Sequence, residues 1–453
     1  GTSTIAIGKQ AGYTGQGISA IAIGYQAGYT AQTTNTVAIG NSAGQTNQGT
    51  SSISIGSSSG SLSQGQYSVA IGTFAGQNFQ GSGSTAGTST IAIGTESGRD
   101  NQWLNSIAMG YQSGNTGQGQ YSIAIGSQAG EFSQGINCIA IGNQAGIFTQ
   151  RTGSIAIGFN TGYISQGQNA VAIGYNSGQS NQRTQTVALG ANSAINVQSQ
   201  GAIAIGYEAG CTRQGTFSIA LGYQAGFGTQ DTDCIAIGRK SGFISQGQFS
   251  IGIGYSAGEF TQGDYCIALG PYAAEYTQST SSIAIGAYAG QFSQNPYSLA
   301  IGFQTGQTNQ GSGSTAGTST IAIGNQSGRL SQGINAIAIG YQSGNTAQGQ
   351  NSIAIGSRAG QTNQGVGSTI GTSTIAIGNQ AGQLSQGINS ISIGLQAGQI
   401  SQGSYSVAIG FLSGQTNQGN NSIAIGLQAG NTNQASNSIA LGNGNLELIA
   451  LGQ

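Results

Sequence analysis

Few residues in this chain are of a type that does chemistry, and their spacing decides how they are read. The 453 residues include no histidine, which excludes imidazole acid–base catalysis, imidazole metal ligation and histidine pH switching. The four cysteines, Cys138, Cys211, Cys234 and Cys266, form no CxxC metal or redox spacing. The one close carboxylate pair, Asp231 and Asp233, lies in Gln230-Asp-Thr-Asp-Cys234 and lacks the glycine–aspartate pattern of calcium-binding rolls, so it reads as a solvated corner. Strings such as Gly81-Ser-Gly-Ser-Thr-Ala-Gly87 resemble phosphate loops in composition alone, because no Gly-Lys-Ser/Thr follows. No catalytic residue, cofactor or metal is expected, and the chain reads as a non-enzyme. With 9 basic and 10 acidic side chains it lacks the basic footprint of a nucleic-acid binder. No apolar run is long enough to span a membrane as a helix.

What remains is periodicity. Words of the form Ile-Ala-Ile-Gly begin at Ile5, Ile21, Val37, Ile53, Val69, Ile91 and so on to Ile439; of the 26 steps, 23 are 16 residues and three are 22. With 83 glycines but 2 prolines and no glycine every third residue, a collagen helix is excluded. So short a fixed period implies a solenoid in which each repeat is one coil stacked on its neighbours. Numbering the coil from the word, positions 1 and 3 are aliphatic and mostly β-branched, the alternation of a strand. Position 4 is always glycine and position 8 nearly so, which fixes two corners. The expected fold is all-β: a parallel β-solenoid or β-roll of about 27 coils over residues 1–442. The longer steps place six-residue insertions at 82–87, 312–317 and 366–371, and 443–453 is an irregular C-terminal cap or junction. Gly1-Thr-Ser-Thr4 repeats the end of two insertions, as a cut within a longer array would leave it.

A repeat array is its own variation experiment. Position 9 holds Tyr13, Arg99, Glu131, Ile147 and Cys211 in different coils, so the copies have drifted. Position 12 has not. It is glutamine in all 26 coils that contain it, among them Gln16, Gln32, Gln48, Gln64, Gln134, Gln246, Gln294, Gln364 and Gln434. Such invariance predicts a buried amide ladder, each side chain bonded to its neighbour a coil away or to a corner backbone group. Position 2 is alanine in 24 of 27 coils, and position 16 is always Ser, Ala, Thr or Cys. If positions 1 and 3 fill the core, position 2 faces outward. That reading predicts a flat self-association face carrying Ala6, Ala22, Ala38, Ala124, Ala284, Ala354 and Ala424. Two aliphatic side chains are a small core for a 16-residue coil, which favours lateral association. Charges occur at positions 5, 6, 9, 10, 11, 13, 14 and 15 and never at 1, 2, 3, 4, 7, 8, 12 or 16.

The words Ser122-Ile-Ala-Ile-Gly126, Ser68-Val-Ala-Ile-Gly72 and Asn351-Ser-Ile-Ala-Ile-Gly356 resemble the head repeats of trimeric autotransporter adhesins, and similar words occur in phage and giant-virus fibres. The resemblance runs over residues 5–442. It implies a left-handed parallel β-roll that trimerises, with the two aliphatics of each word in the core and residues such as Ser122 and Ala124 near the trimer contact. The period of 16 is longer than is common in that family, and the glutamine column is not its hallmark. No coiled-coil stalk or membrane-anchor barrel is recognised in this sequence.

The expected function is a structural fibre or filament, a stiff extracellular, cell-surface or virion-surface rod whose partner is itself, as a trimer or filament. The alternative is an adhesin head that binds surface glycans or cells, with an ice-binding surface a lesser one because Thr is scattered and not columnar. Asn325 and Asn420 stand in N-x-S sequons and would accept glycans on a secreted chain.

Overall fold

The computed structural model of the chain describes residues 2–81, 89–311, 319–365 and 373–443, together with the backbone of Glu447–Leu448. The insertions at 82–87, 312–317 and 366–371 lie outside the described residues, as does most of 443–453. The described residues are all-β, without helix, and form a parallel β-solenoid of about 26 turns. The chain divides into two units, Gly1–Phe227 and Gly228–Gln453, built on the same plan.

Each coil contributes a strand at positions 1–3, such as Ile21–Ile23, and most contribute a second of two or three residues that ends on the position-12 glutamine, such as Thr30–Gln32. Both pair in parallel with the same positions one coil on. Ile21, Ala22 and Ile23 face Val37, Ala38 and Ile39, and Gln32 faces Gln48. In the second unit the same register holds Ile353 against Ile375 and Gln364 against Gln386, across an insertion. Glu447–Leu448 pairs antiparallel with the last word strand, Ala440 opposite Glu447.

The two glycine columns answer to different constraints. At position 4 the backbone is near φ +130°, where L side chains rarely sit, and a Cβ on Gly110 (φ +129°) would lie 2.5 Å from the Gly126 carbonyl oxygen one coil on. No other residue fits. Position 8 is in the ordinary left-handed region, φ +51° at Gly114, which alanine enters at moderate cost; Ala194 (φ +47°) and Ala274 (φ +48°) do so. Position 11 takes two conformations. Asn47 (φ +55°), Ser63 (φ +55°) and Asn363 (φ +53°) turn left-handed there, whereas Thr149, Val197, Thr261 and Thr277 stay out of that region, as do Ser133, Ser165 and Ser245.

The alternation predicted for the word is present, but its phase is reversed. Ala22, Ala38, Ala124, Ala284, Ala354 and Ala424 are completely buried inside the coil, and Ala6 belongs to the same interior row in the terminal coil, where it is open. They do not form an outward face. The aliphatic residues at positions 1 and 3 point outward and are half-buried or exposed. Position 16 is interior too, with Ser122, Thr186 and Cys138 fully buried. The reason is space. The interior of a 16-residue coil is already crossed by the glutamine side chain and closed by Ala, Ser or Thr at position 7, such as Ala129 and Ser177. Isoleucine does not fit there, and a shift of one residue in strand phase exchanges every inward and outward side chain.

Substitution at one interior site separates this packing from an outward face. Ala124→Val is expected to cost about 1–3 kcal/mol through overpacking, and Ala124→Ser to leave the thermal midpoint within a few degrees. An outward Ala124 would tolerate both equally.

Candidate functional site

The interior row is set by one hydrogen bond repeated along the chain. Gln134 reaches across the coil and its Nε2 donates to the Ile123 carbonyl at 2.9 Å. The same bond is made by Gln16 to Ile5 (3.0 Å), Gln32 to Ile21, Gln48 to Val37 and Gln64 to Ile53 (each 2.9 Å). Gln246, Gln364 and Gln434 make it at 2.8 Å and Gln294 at 2.7 Å. Many also donate to the position-16 carbonyl, as Gln246 does to Ser250 at 2.9 Å. Amide-to-amide bonds between coils come in short runs, such as Gln134 to Gln150 (3.1 Å) and Gln150 to Gln166 (2.9 Å). The glutamine is therefore a transverse tie first and a rung of a ladder second.

The tie also explains two exceptions in the alanine row. Glutamine Oε1 atoms such as those of Gln102, Gln118 and Gln134 are buried without a hydrogen-bond partner. Where position 2 is serine the partner is supplied: Ser54 Oγ donates to Gln64 Oε1, and Ser392 Oγ to Gln402 Oε1, each at 2.6 Å. Gln118→Met removes the tie while keeping its length, and leaves the Ile107 and Ser122 carbonyls one donor short. A loss of about 1–3 kcal/mol in denaturant unfolding is expected, with a second loss, smaller in size, for Ser54→Ala.

Outward, the coil presents two kinds of surface. Positions 1 and 3 form rows of aliphatic side chains stacked in register, open at Ile55, Met109 and Leu189 in the first unit and at Ile253, Ile355 and Ile425 in the second. No charge falls in these rows. The other surface carries aromatic ladders. Phe132 stacks on Phe148 at 5.5 Å between centroids, and Phe260, Tyr276 and Phe292 stack in sequence at 5.0 and 5.3 Å. Sequence reasoning missed the aliphatic face. The signal was position 7, which admits only Ala, Ser and Thr and so marks the interior together with positions 2, 12 and 16.

The residues with chemical potential are not gathered into a reactive centre. Cys138, Cys234 and Cys266 are fully buried at position 16, their thiols donating to the Arg151, Gly247 and Ser279 carbonyls at 2.9, 2.8 and 2.9 Å. All four cysteines are free. Burial pushes the Cys211 and Cys266 thiols up and that of Cys234 up to about 11, where the thiolate nucleophile is scarce. Native protein at pH 8 is expected to leave Cys234 and Cys266 unalkylated by iodoacetamide over hours, with labelling on denaturation, read by peptide mass spectrometry. Among the described residues no group of three His, Cys, Asp or Glu is placed to hold a metal ion, and no helix is long and apolar enough to cross a membrane. Asn325 and Asn420 are exposed, while Ser327 and Ser422 of their sequons are buried in the coil.

A parallel β-solenoid of short Ile-Ala-Ile-Gly coils, with small residues inside and an aliphatic face outside, is a fold that is usually structural or adhesive and not enzymatic. Residues 165–178, 198–225 and 331–359 match the YadA head domain repeat. These matches and the 16-residue period fit a head repeat like those of trimeric autotransporter adhesins. No curated protein matches the chain.

Proposed function

We propose that the chain is a self-associating structural fibre segment displayed on a cell or virion surface, whose coils bury their position-1 and position-3 rows against further copies of the same chain. The observation that carries this reading is the outward aliphatic face that each unit presents. Soluble monomers rarely expose apolar patches beyond a few hundred Å², and here the patch recurs with every coil and excludes charge. Because the rows recur at one spacing along each copy, copies aligned in parallel can match them coil for coil. The head repeats that the chain resembles assemble as trimers, which makes three the expected copy number. Neutral side chains and inert thiols suit a passive surface structure.

Size-exclusion chromatography with light scattering tests this. A mass three times that of one chain is expected, falling to a folded monomer for the double variant Ile253→Glu/Ile355→Glu; a stable monomer of the unaltered chain overturns the reading. An adhesin head is the second reading, favoured by the aromatic ladder of Phe260, Tyr276 and Phe292, in which Tyr276 and Phe292 are exposed and give an apolar surface for sugars. Binding on a glycan array, lost in Tyr276→Ala, supports it.

A further inference from the structure

The first unit carries a groove of about 530 Å³ along the second strand of the coil. Its rim holds Arg151 and Arg183, and Ser165, Gly167, Asn181 and Thr184 lie between and beside them. The placement follows from register. Arg151, Gly167 and Arg183 are position 13 of three successive coils, joined by the Arg151 N–H to the Gln166 carbonyl (3.0 Å) and the Gly167 N–H to the Gln182 carbonyl (2.7 Å). Two strand spacings put the arginine Cα atoms about 10 Å apart. Gly167 leaves the space between them free of a side chain, and a Cβ there would strike the Arg183 backbone. Arg213, at position 11 one coil beyond the groove, pairs with the lining residue Val197 in the second-strand sheet.

These cations are unmatched. The ion pairs among the described residues join Arg99 to Glu96 and Asp100, and Lys240 to Glu259; none uses Arg151, Arg183 or Arg213. No carboxylate lines the groove. Between residues 139 and 218 the sequence has one acidic side chain, Glu208, at position 6 and not in the second strand; it accepts a hydrogen bond from Gln224 at 2.8 Å. In a chain of net charge −1 this is a local concentration of guanidinium without counter-charge. The groove also faces away from the aliphatic rows, because the glutamine ties run from the second strand through the interior to the first. Self-association through those rows leaves it open.

We propose that this groove binds an acidic polysaccharide, with sulfate or carboxylate groups held by Arg151 and Arg183 and sugar hydroxyls by Ser165, Asn181 and Thr184. Guanidinium is the side chain best suited to planar, paired hydrogen bonding of such groups. A linear chain fits a groove whose two cations stand two coils apart, and the neutral hydrogen-bonding lining fits hydroxyls. A lipid surface would call for exposed apolar side chains, of which the lining has only Val197, and single-stranded nucleic acid for stacking aromatics, of which it has none. The proposal rests on the adhesin reading and gives it a site.

Dextran sulfate, with neutral dextran as control, is the probe for the full chain, by calorimetry at low ionic strength. Binding to dextran sulfate alone is expected, weakening as salt is raised, and at least tenfold weaker in Arg151→Gln/Arg183→Gln with an unchanged thermal midpoint. Arg329→Gln, outside the groove, is expected to bind as the parent does. Undiminished binding by the double variant overturns the groove assignment while leaving the adhesin reading standing. Absence of binding to dextran sulfate, dextran or any glycan on an array overturns both. Equal affinity for an oligothymidylate or for phosphatidylserine vesicles, lost in the same variant, overturns the choice of ligand class.

Discussion

The structure depends on a side chain that spans its own coil. The position-12 amide closes each turn by reaching from the second strand to the carbonyl of the first residue of the word, as Gln134 does to Ile123. That length fixes the width of the coil, and the width fixes what can share the interior: alanine at position 2, Ala, Ser or Thr at position 7, and a small residue at position 16. An apolar core in the usual sense has no room to form. Burial of the larger aliphatic side chains is pushed outside the chain, where only another molecule can complete it.

The invariance of the glutamine and of the position-4 glycine has the same origin, a backbone group at fixed distance. Glutamine has the one neutral side chain of that length carrying an amide. Glycine at position 4 is required by both a φ near +130° and the carbonyl of the next coil, whereas position 8 has an ordinary left-handed φ and faces the end of the position-12 glutamine side chain, which can shift, and it has twice accepted alanine. Ser54 and Ser392 show that the interior tolerates polarity where a hydroxyl meets an orphan amide oxygen.

Period, fold class, coil boundaries and the buried glutamine column were legible in the sequence because each is a constraint on a single position. The direction of the word was not. Alternation reports which residues share a side, and says nothing of which side is inside; the familiar assumption that isoleucine is interior supplied the wrong answer for Ala22, Ala124 and Ala354. Restriction at position 7 would have corrected it. The arginine groove was beyond sequence reasoning for another reason: Arg151 and Arg183 are 32 residues apart and become neighbours only through the register of coils.

A face that repeats every 16 residues carries no address. In the assembly proposed above, two copies displaced by one whole coil would present the same aliphatic rows to each other, so those rows would supply adhesion without alignment. Alignment has to come from what does not repeat: the unequal side chains at positions 5, 9 and 14, and the three insertions, each of which enters after position 13. In that assembly the irregular residues would be the ruler, marking where along a uniform surface one copy meets the next.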